Sequence, residues 1–254
     1  EQRVELDVRL PEGLYTYRLV IEHDAQNLGQ LRIKSERLDC NDVAVFGQLA
    51  PNPQIPLGGV GAPLTELFPI RSALTLLSSM AARESSLPFK AALTRWWLFR
   101  PDPRQIGARL EVTQLNARFL LAPDLSNFAD WYVASLRAKP KAVFQALRSL
   151  EPIIPGLIEL YEESGWLHAR FEVSGKTVSF RMDELSDGQR ALIALYLLRH
   201  TVATPGSLLA LDEPDNYVAL AEIQPWLLDL ERAAQKSGGP RVWLISHHPE
   251  VINL

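Results

Sequence analysis

The sequence predicts an α/β fold: a parallel core sheet, an antiparallel β lobe on its N-terminal side, and a helical insert. Three observations predict it. Residues 3–10, 14–22, 30–38 and 43–48 alternate apolar and polar positions, as strands with one solvated face do. Residues 127–164 carry helical patterns punctuated by Pro140, Pro152 and Pro155, so several short helices are expected. Two short apolar runs, Ser207 to Leu211 and 241–246, flank an amphipathic helical pattern at 219–236. Strand, helix, strand with continuous apolar strands marks a parallel sheet covered on both faces.

Each element has its own signal. Pro11-Glu12-Gly13, Asp24 to Gly29 and Asn41-Asp42 separate the four alternating segments, which read as a meander. Residues 49–64 hold Pro51, Pro53, Pro56, Gly58, Gly59, Gly61 and Pro63 and read as a loop. Helical patterns at 69–83 and 87–99 precede a strand-like stretch at 108–121. Residues 166–182 alternate around Ser174-Gly175 and predict a hairpin, and 187–203, apolar almost all round, predicts a buried helix. The organisation expected is a β lobe at 1–50, a loop and helical insert at 51–165, and a core half at 166–254.

Composition narrows the function classes. The chain has 254 residues, with 26 Lys+Arg against 30 Asp+Glu for a net charge of −4. A content of 47% hydrophobic and 22% charged residues excludes disorder. The apolar run Ala191 to Leu198 is far short of the ~20 residues that span a bilayer. A single cysteine, Cys40, excludes an internal disulfide framework and a cysteine-rich zinc site. It fits a reducing, cytoplasmic setting. The mild acidity argues against a globally basic nucleic-acid binder and leaves a local basic face open.

Three short motifs carry chemistry. Glu184-Leu185-Ser186-Asp187-Gly188-Gln189-Arg190 opens the buried helix, with Ser186 and Gln189 at capping-box spacing. The same residues serve either as a simple cap or as a phosphate site, since a helix start offers free N–H groups and Gly188 permits close approach. Ser207-Leu208-Leu209-Ala210-Leu211-Asp212-Glu213-Pro214 is an apolar strand ending in adjacent carboxylates. At the carboxyl end of a strand, Asp212 is placed to hold Mg²⁺ through water and Glu213 to polarise an attacking water. The alternative is an acidic turn that caps the next segment of chain. Leu244-Ile245-Ser246-His247-His248-Pro249-Glu250 is a second strand running into polar residues, where His247 could donate to a terminal phosphate or be an ordinary loop histidine.

In this order and spacing the three motifs resemble those of the ATP-binding-cassette type of AAA-family ATPase. Leu185 to Gln189 resemble the signature, Ser207 to Glu213 the Walker B strand and catalytic glutamate, Asp215-Asn216 the D-loop, and His247 the switch histidine. The match covers roughly 185–254. The turn Asp212-Glu213-Pro214-Asp215-Asn216-Tyr217 and the apolar helix are more similar to SMC-like chromosome-maintenance and repair ATPases and OLD-like phage-defence ATPases than to transport cassettes. Asp187 departs from the glycine usual in the signature, and Pro225 also lies outside the transporter pattern.

The resemblance implies ATP and Mg²⁺ as cofactors. It implies Asp212 at the metal, Glu213 as base, and His247 (with His248 a lesser candidate) at the γ-phosphate. Ser186, Gly188 and Gln189, with Asp215 and Asn216, would contact nucleotide across a homodimer or higher homo-oligomer in which ATP is sandwiched between subunits. A nuclease effector, commonly of the TOPRIM type, and DNA are the further partners it implies, with no membrane. A nucleotide-gated scaffold with little turnover is the alternative, and a transporter motor subunit a more distant one.

Such an ATPase needs a Walker A loop, G-x-x-x-x-G-K-[S/T]. Gly175-Lys176-Thr177 is a decoy: Arg170, not glycine, stands five residues before Gly175, and the segment lies in a hairpin. The loop is expected before Glu1, and the Q-loop glutamine is not placed. Lys90, Arg95, Arg100, Arg104 and Arg109, with Trp96, Trp97 and Phe99, read either as a nucleic-acid face or as a solvated basic helix with its tryptophans in the core. Arg137, Lys139, Lys141 and Arg148 form a second such cluster.

Overall fold

The computed structural model describes residues 2–23, 31–49, 86–111 and 120–252. The expected helix at 69–83, the Asp24–Gly29 turn, almost all of the 49–64 loop and the middle of the 108–121 stretch lie outside them. Two compact units divide the chain, Glu1–Thr94 and Arg95–Leu254.

The first unit is a four-stranded antiparallel meander, β1 (Gln2–Leu10), β2 (Gly13–His23), β3 (Leu31–Cys40) and β4 (Val43–Leu49), paired in chain order. Period-2 alternation sends Tyr15, Tyr17 and Leu38 to one buried face. There Tyr15 stacks at 5.6 Å on Phe89 of α1 (Leu87–Leu93). The helix expected over 87–99 ends at Leu93, and Trp96–Phe99 is a strand, β5. Aromatic residues suit a pleated surface, and pairing with a distant strand overrides the local pattern.

The second unit holds two three-stranded sheets. Helices α2 (Phe128–Ala138) and α3 (Pro140–Leu150) are separated at Pro140, as the proline punctuation predicts. Helix does not continue to 164: Leu157–Glu163 is a strand, β6, antiparallel to β7 (Trp166–Val173), which pairs β8 (Lys176–Arg181). The β7–β8 turn has Ser174 at φ 53° and Gly175 at φ 74°, the left-handed pair a two-residue hairpin needs. The Gly-Lys-Thr decoy is thus a hairpin corner.

Helix α4 (Asp187–Thr201) buries Ala191 to Leu198 without a break, as its apolar circumference requires. β9 (Leu208–Asp212), α5 (Leu220–Ala234) and β10 (Arg241–Ile245) form the expected strand–helix–strand unit, and α6 (Pro249–Ile252) comes after it. The sheet is parallel, in the order β10-β9-β5. Trp226 of α5 is fully buried and its indole Nε1 donates to the Leu195 carbonyl of α4 at 2.9 Å, which locks the two helices together.

Among the described residues, the sheet is not covered on both faces. Cross-strand partners Leu98, Ala210 and Trp243 share one face, and Leu98 is 63% and Trp243 56% exposed. The opposite face carries buried Leu209, Leu211 and Phe99. The apolar runs therefore predict the strands, and among the described residues the Leu98–Trp243 face is left exposed.

Candidate functional site

Parallel strands place their carboxyl ends side by side, and β9 and β10 pair with Ile245 opposite Asp212. Asp212 closes β9, and Glu213 extends the ladder by donating its N–H to the Ile245 carbonyl at 2.7 Å. Glu213 then turns sharply, with φ 52°. A left-handed non-glycine residue costs about 1–2 kcal/mol. In extended backbone the two adjacent side chains would alternate to opposite faces, whereas here both carboxylates lie within 4 Å of one guanidinium, that of Arg100.

Glu213 has two close contacts. The Asn216 amide Nδ2 donates to Oε2 at 2.6 Å, and His247 Nε2 lies 3.0 Å from Oε1. The Glu213 side chain is only 20% exposed, while His247 projects from the end of β10 into solvent. Beside them Asp215 Oδ2 accepts from the Ser246 hydroxyl at 2.8 Å, and Ser246 Oγ accepts from the His248 backbone N–H at 3.0 Å. The two strand-end loops are thus tied by side chains at two places. Asp212, Glu213, Asn216 and His247 form one cluster, with Asp215 on its flank and His248 contributing its backbone.

Sequence reading assigned Arg100 to a possible nucleic-acid face and missed its place beside these carboxylates. It comes directly after β5, whose Phe99 pairs with Leu211, so it stands across from Asp212. Its Nε is 3.6 Å from Asp212 Oδ2 and its Nη2 3.8 Å from Glu213 Oε2. A strand assignment at Trp96–Phe99 would have exposed it, since the residue after a parallel strand next to β9 falls at the ligand end of the sheet. The Arg100 guanidinium thus lies within 4 Å of both carboxylates, so a cation can be accommodated beside them. Asp212, a half-exposed hard oxygen ligand, fits a magnesium ion that keeps most of its water.

The other predicted residues lie at the start of α4. Ser186 is its N-cap: Oγ accepts from Gln189 N at 3.2 Å while Gln189 Oε1 accepts from Ser186 N at 3.1 Å, the reciprocal capping box. Asp187 and Gly188, at the first helical positions, keep N–H groups without an intrahelical partner. A Cβ on Gly188 would lie 3.1 Å from the Tyr217 carbonyl oxygen, so the glycine seats the helix start on the turn that carries Asp215 and Asn216. Asp187 is neutralised within its own helix by an ion pair with Arg190, a mostly buried side chain. Ser186 and Gln189 bond to each other rather than to the carboxylate cluster, and Tyr217 is the link between the two sets.

Tyr217 is itself held by Arg104, whose Nη2 donates to its hydroxyl at 2.6 Å and whose Nε and Nη2 reach Asp102 at 3.0 and 3.1 Å. Those bonds hold the Asp102 carboxyl below the usual carboxylate range. The arginines expected to line a nucleic-acid face are therefore engaged one by one. Arg95 donates to the Pro205 carbonyl, Arg100 faces the carboxylates, Arg104 holds Asp102, and Arg109 lies over the Trp166 ring. Trp96 and Trp97 point to opposite faces of β5, so no helical stripe of aromatic and basic residues forms. In the second cluster Lys139 donates to the Thr201 carbonyl, which caps α4. Among the described residues no helix is long and apolar enough to cross a membrane.

Comparison with known proteins adds three findings. Residues 69–253 match the family model described as "AAA domain, putative AbiEii toxin, Type IV TA system". A search of curated proteins finds no match. Solved structures match, among them one titled "Crystal structure of the SmcHead bound to the C-winged helix domain of ScpA", at 12% identity over 94% of this chain and 68% of that one, with a TM-score of 0.45.

Proposed function

The chain belongs to the AAA-domain family of that description, and on that premise we propose that it binds and hydrolyses ATP with Mg²⁺ at the carboxyl ends of β9 and β10. One observation carries the reading. Asp212, Glu213, Asn216 and His247 converge at a strand-end turn whose backbone is held in a left-handed conformation at Glu213. Such strain persists only where the surroundings over-determine it, and it concentrates at functional sites.

Each residue has a distinct task. Asp212 holds the metal through water, and the bound ion would supply charge neutralisation at the phosphates. Glu213 is the base. A carboxylate has about four lone-pair sites, and Asn216 and His247 use two, so capacity remains to accept a proton from water. The Asn216 contact also fixes the carboxylate's orientation, part of the positioning that phosphoryl transfer requires. His247, exposed and able to swing from Glu213, steadies the terminal phosphate, with His248 the lesser candidate.

The phosphates also need a Walker A loop, which the described residues do not supply. The exposed face of Leu98 and Trp243, with β10 outermost among the described strands of its sheet, supports the packing of a further segment there. At α4, the free N–H groups of Asp187 and Gly188 support a role for Ser186, Gly188 and Gln189 at the nucleotide of a second subunit, in a homodimer or higher oligomer, with Asp215 and Asn216 at the shared boundary. The coupled output we propose is a DNA-related or anti-phage defence activity, carried by a nuclease effector in the cytoplasm. The type IV toxin–antitoxin wording of the family description supports a defence output. The test is Mg²⁺-dependent ATP turnover by the full-length protein, with and without DNA. Turnover abolished by chelation is expected; nucleotide binding with no turnover under any condition would favour a nucleotide-gated scaffold.

A further inference from the structure

The mouth of the carboxylate cluster carries a permanent positive charge to which the ATPase reading gives no task. We propose that Arg100 is a nucleotide-binding residue. It pairs loosely with Asp212 and Glu213, and it exchanges that pairing for phosphate oxygens when a magnesium-bound nucleoside triphosphate is taken up. The inference rests on the ATPase reading above and adds a residue to it.

Placement is the first argument. The Phe99–Leu211 pairing sets Arg100 beside Asp212 at the ligand end of a parallel sheet. Its backbone is rooted, since Arg100 N donates to the Pro123 carbonyl at 2.9 Å. Only the side chain is free to move.

The quality of its contacts is the second. Tight charge-assisted bonds run ≈ 2.7–2.9 Å, whereas Arg100 lies 3.6 and 3.8 Å from its two carboxylates with its side chain 73% exposed. A pair of that kind is weakly held and easily surrendered. The neighbouring arginines are not like this. Arg104 is fixed by Asp102 and Tyr217, and Arg190 is 12% exposed and paired with Asp187. Arg100 alone among these three is poised to leave.

Charge balance is the third. Asp212 and Glu213 together repel a polyphosphate, so a cation must enter with it. A metal ion taken by Asp212 removes one of the two partners of Arg100, and the released guanidinium fork matches the geometry of phosphate oxygens better than an ammonium would. Its nearness to Glu213 places it on the terminal phosphate, where it would favour triphosphate over diphosphate.

The experiment uses the full-length protein and the variants Arg100→Gln and Arg100→Lys. Two binding readouts are taken: a fluorescent non-hydrolysable ATP analogue with Mg²⁺, against the corresponding ADP analogue, and Mn²⁺ alone by electron paramagnetic resonance. Arg100 is exposed, so neither variant should alter the melting temperature. For Arg100→Gln, ATP-analogue affinity is expected to fall about tenfold or more, with a smaller loss for the ADP analogue. Mn²⁺ affinity without nucleotide should rise about two- to fivefold, because an exposed competing cation is gone. Arg100→Lys should keep the Mn²⁺ affinity near wild type and recover only part of the analogue binding. An Arg100→Gln protein that binds the analogue as the wild type does, or whose Mn²⁺ affinity is unchanged or lower, overturns the assignment. A wild-type protein that binds no analogue overturns the ATPase reading instead.

Discussion

Glu213→Gln is the substitution whose consequences the structure fixes most closely. Both carboxylate oxygens face donors, Asn216 Nδ2 at 2.6 Å and His247 Nε2 at 3.0 Å. An amide offers one oxygen only. It will keep that oxygen on Asn216, the shorter contact, and turn its NH₂ toward His247. The histidine can answer by moving its proton to Nδ1, so that Nε2 accepts. Lost charge assistance costs about 1 kcal/mol, and the weak pairing with Arg100 adds little. Stability should therefore fall by about 1 kcal/mol, a few degrees in melting temperature for a unit of this size. Turnover should fall far more, about 10²–10⁴-fold, because the general base is gone. Because the substitution leaves Asp212 and Arg100 in place, nucleotide binding should survive and an ATP-bound dimer should accumulate. The assay is steady-state turnover beside a thermal melt and size-exclusion chromatography with ATP and Mg²⁺. Full turnover in Glu213→Gln would refute the base assignment, and a large loss of stability would refute the hydrogen-bond accounting.

The remaining predictions concern the rest of the unit. Ser186→Arg should abolish hydrolysis and spare ATP binding, checked by turnover and equilibrium binding together; loss of binding would place Ser186 in its own subunit's site. Trp226→Ala removes a fully buried indole and its bond to Leu195, and should cost about 3–5 kcal/mol by chemical denaturation. Burial, with help from Arg199, holds the His200 imidazole below its ordinary value. The unfolded chain then binds the extra proton more readily, so this contribution to stability is complete above pH ~6.5 and shrinks as the pH falls below it. A His200→Gln protein should show a shallower loss of melting temperature between pH 7 and 5.

The legibility of the site depends on the range of its interactions. Local patterns were readable: alternation gave β1 to β4, the S-x-x-Q spacing of Ser186 and Gln189 gave a capping box seen atom by atom, and an apolar run ending in Asp212-Glu213 gave β9 and its acidic end. Features set by partners distant in sequence were not. Trp96–Phe99 reads as helix until β9 pairs with it, and Arg100 is invisible until that pairing is known. Leu157–Glu163 becomes a strand because β7 lies beside it. Gly188 read as room for an anion, and the structure puts the Tyr217 carbonyl near that position. The positive φ of Glu213 has no signature in its residue type, since nothing about glutamate favours it.

The central claim is that Asp212 and its neighbours hold a magnesium–nucleotide complex, and titration calorimetry of the full-length protein with ATP tests it most directly. Binding by the wild type should depend on Mg²⁺, and Asp212→Asn should lose that dependence, with affinity lowered about tenfold or more. Wild-type binding that is absent, or that is indifferent to Mg²⁺ and to Asp212→Asn, would contradict it.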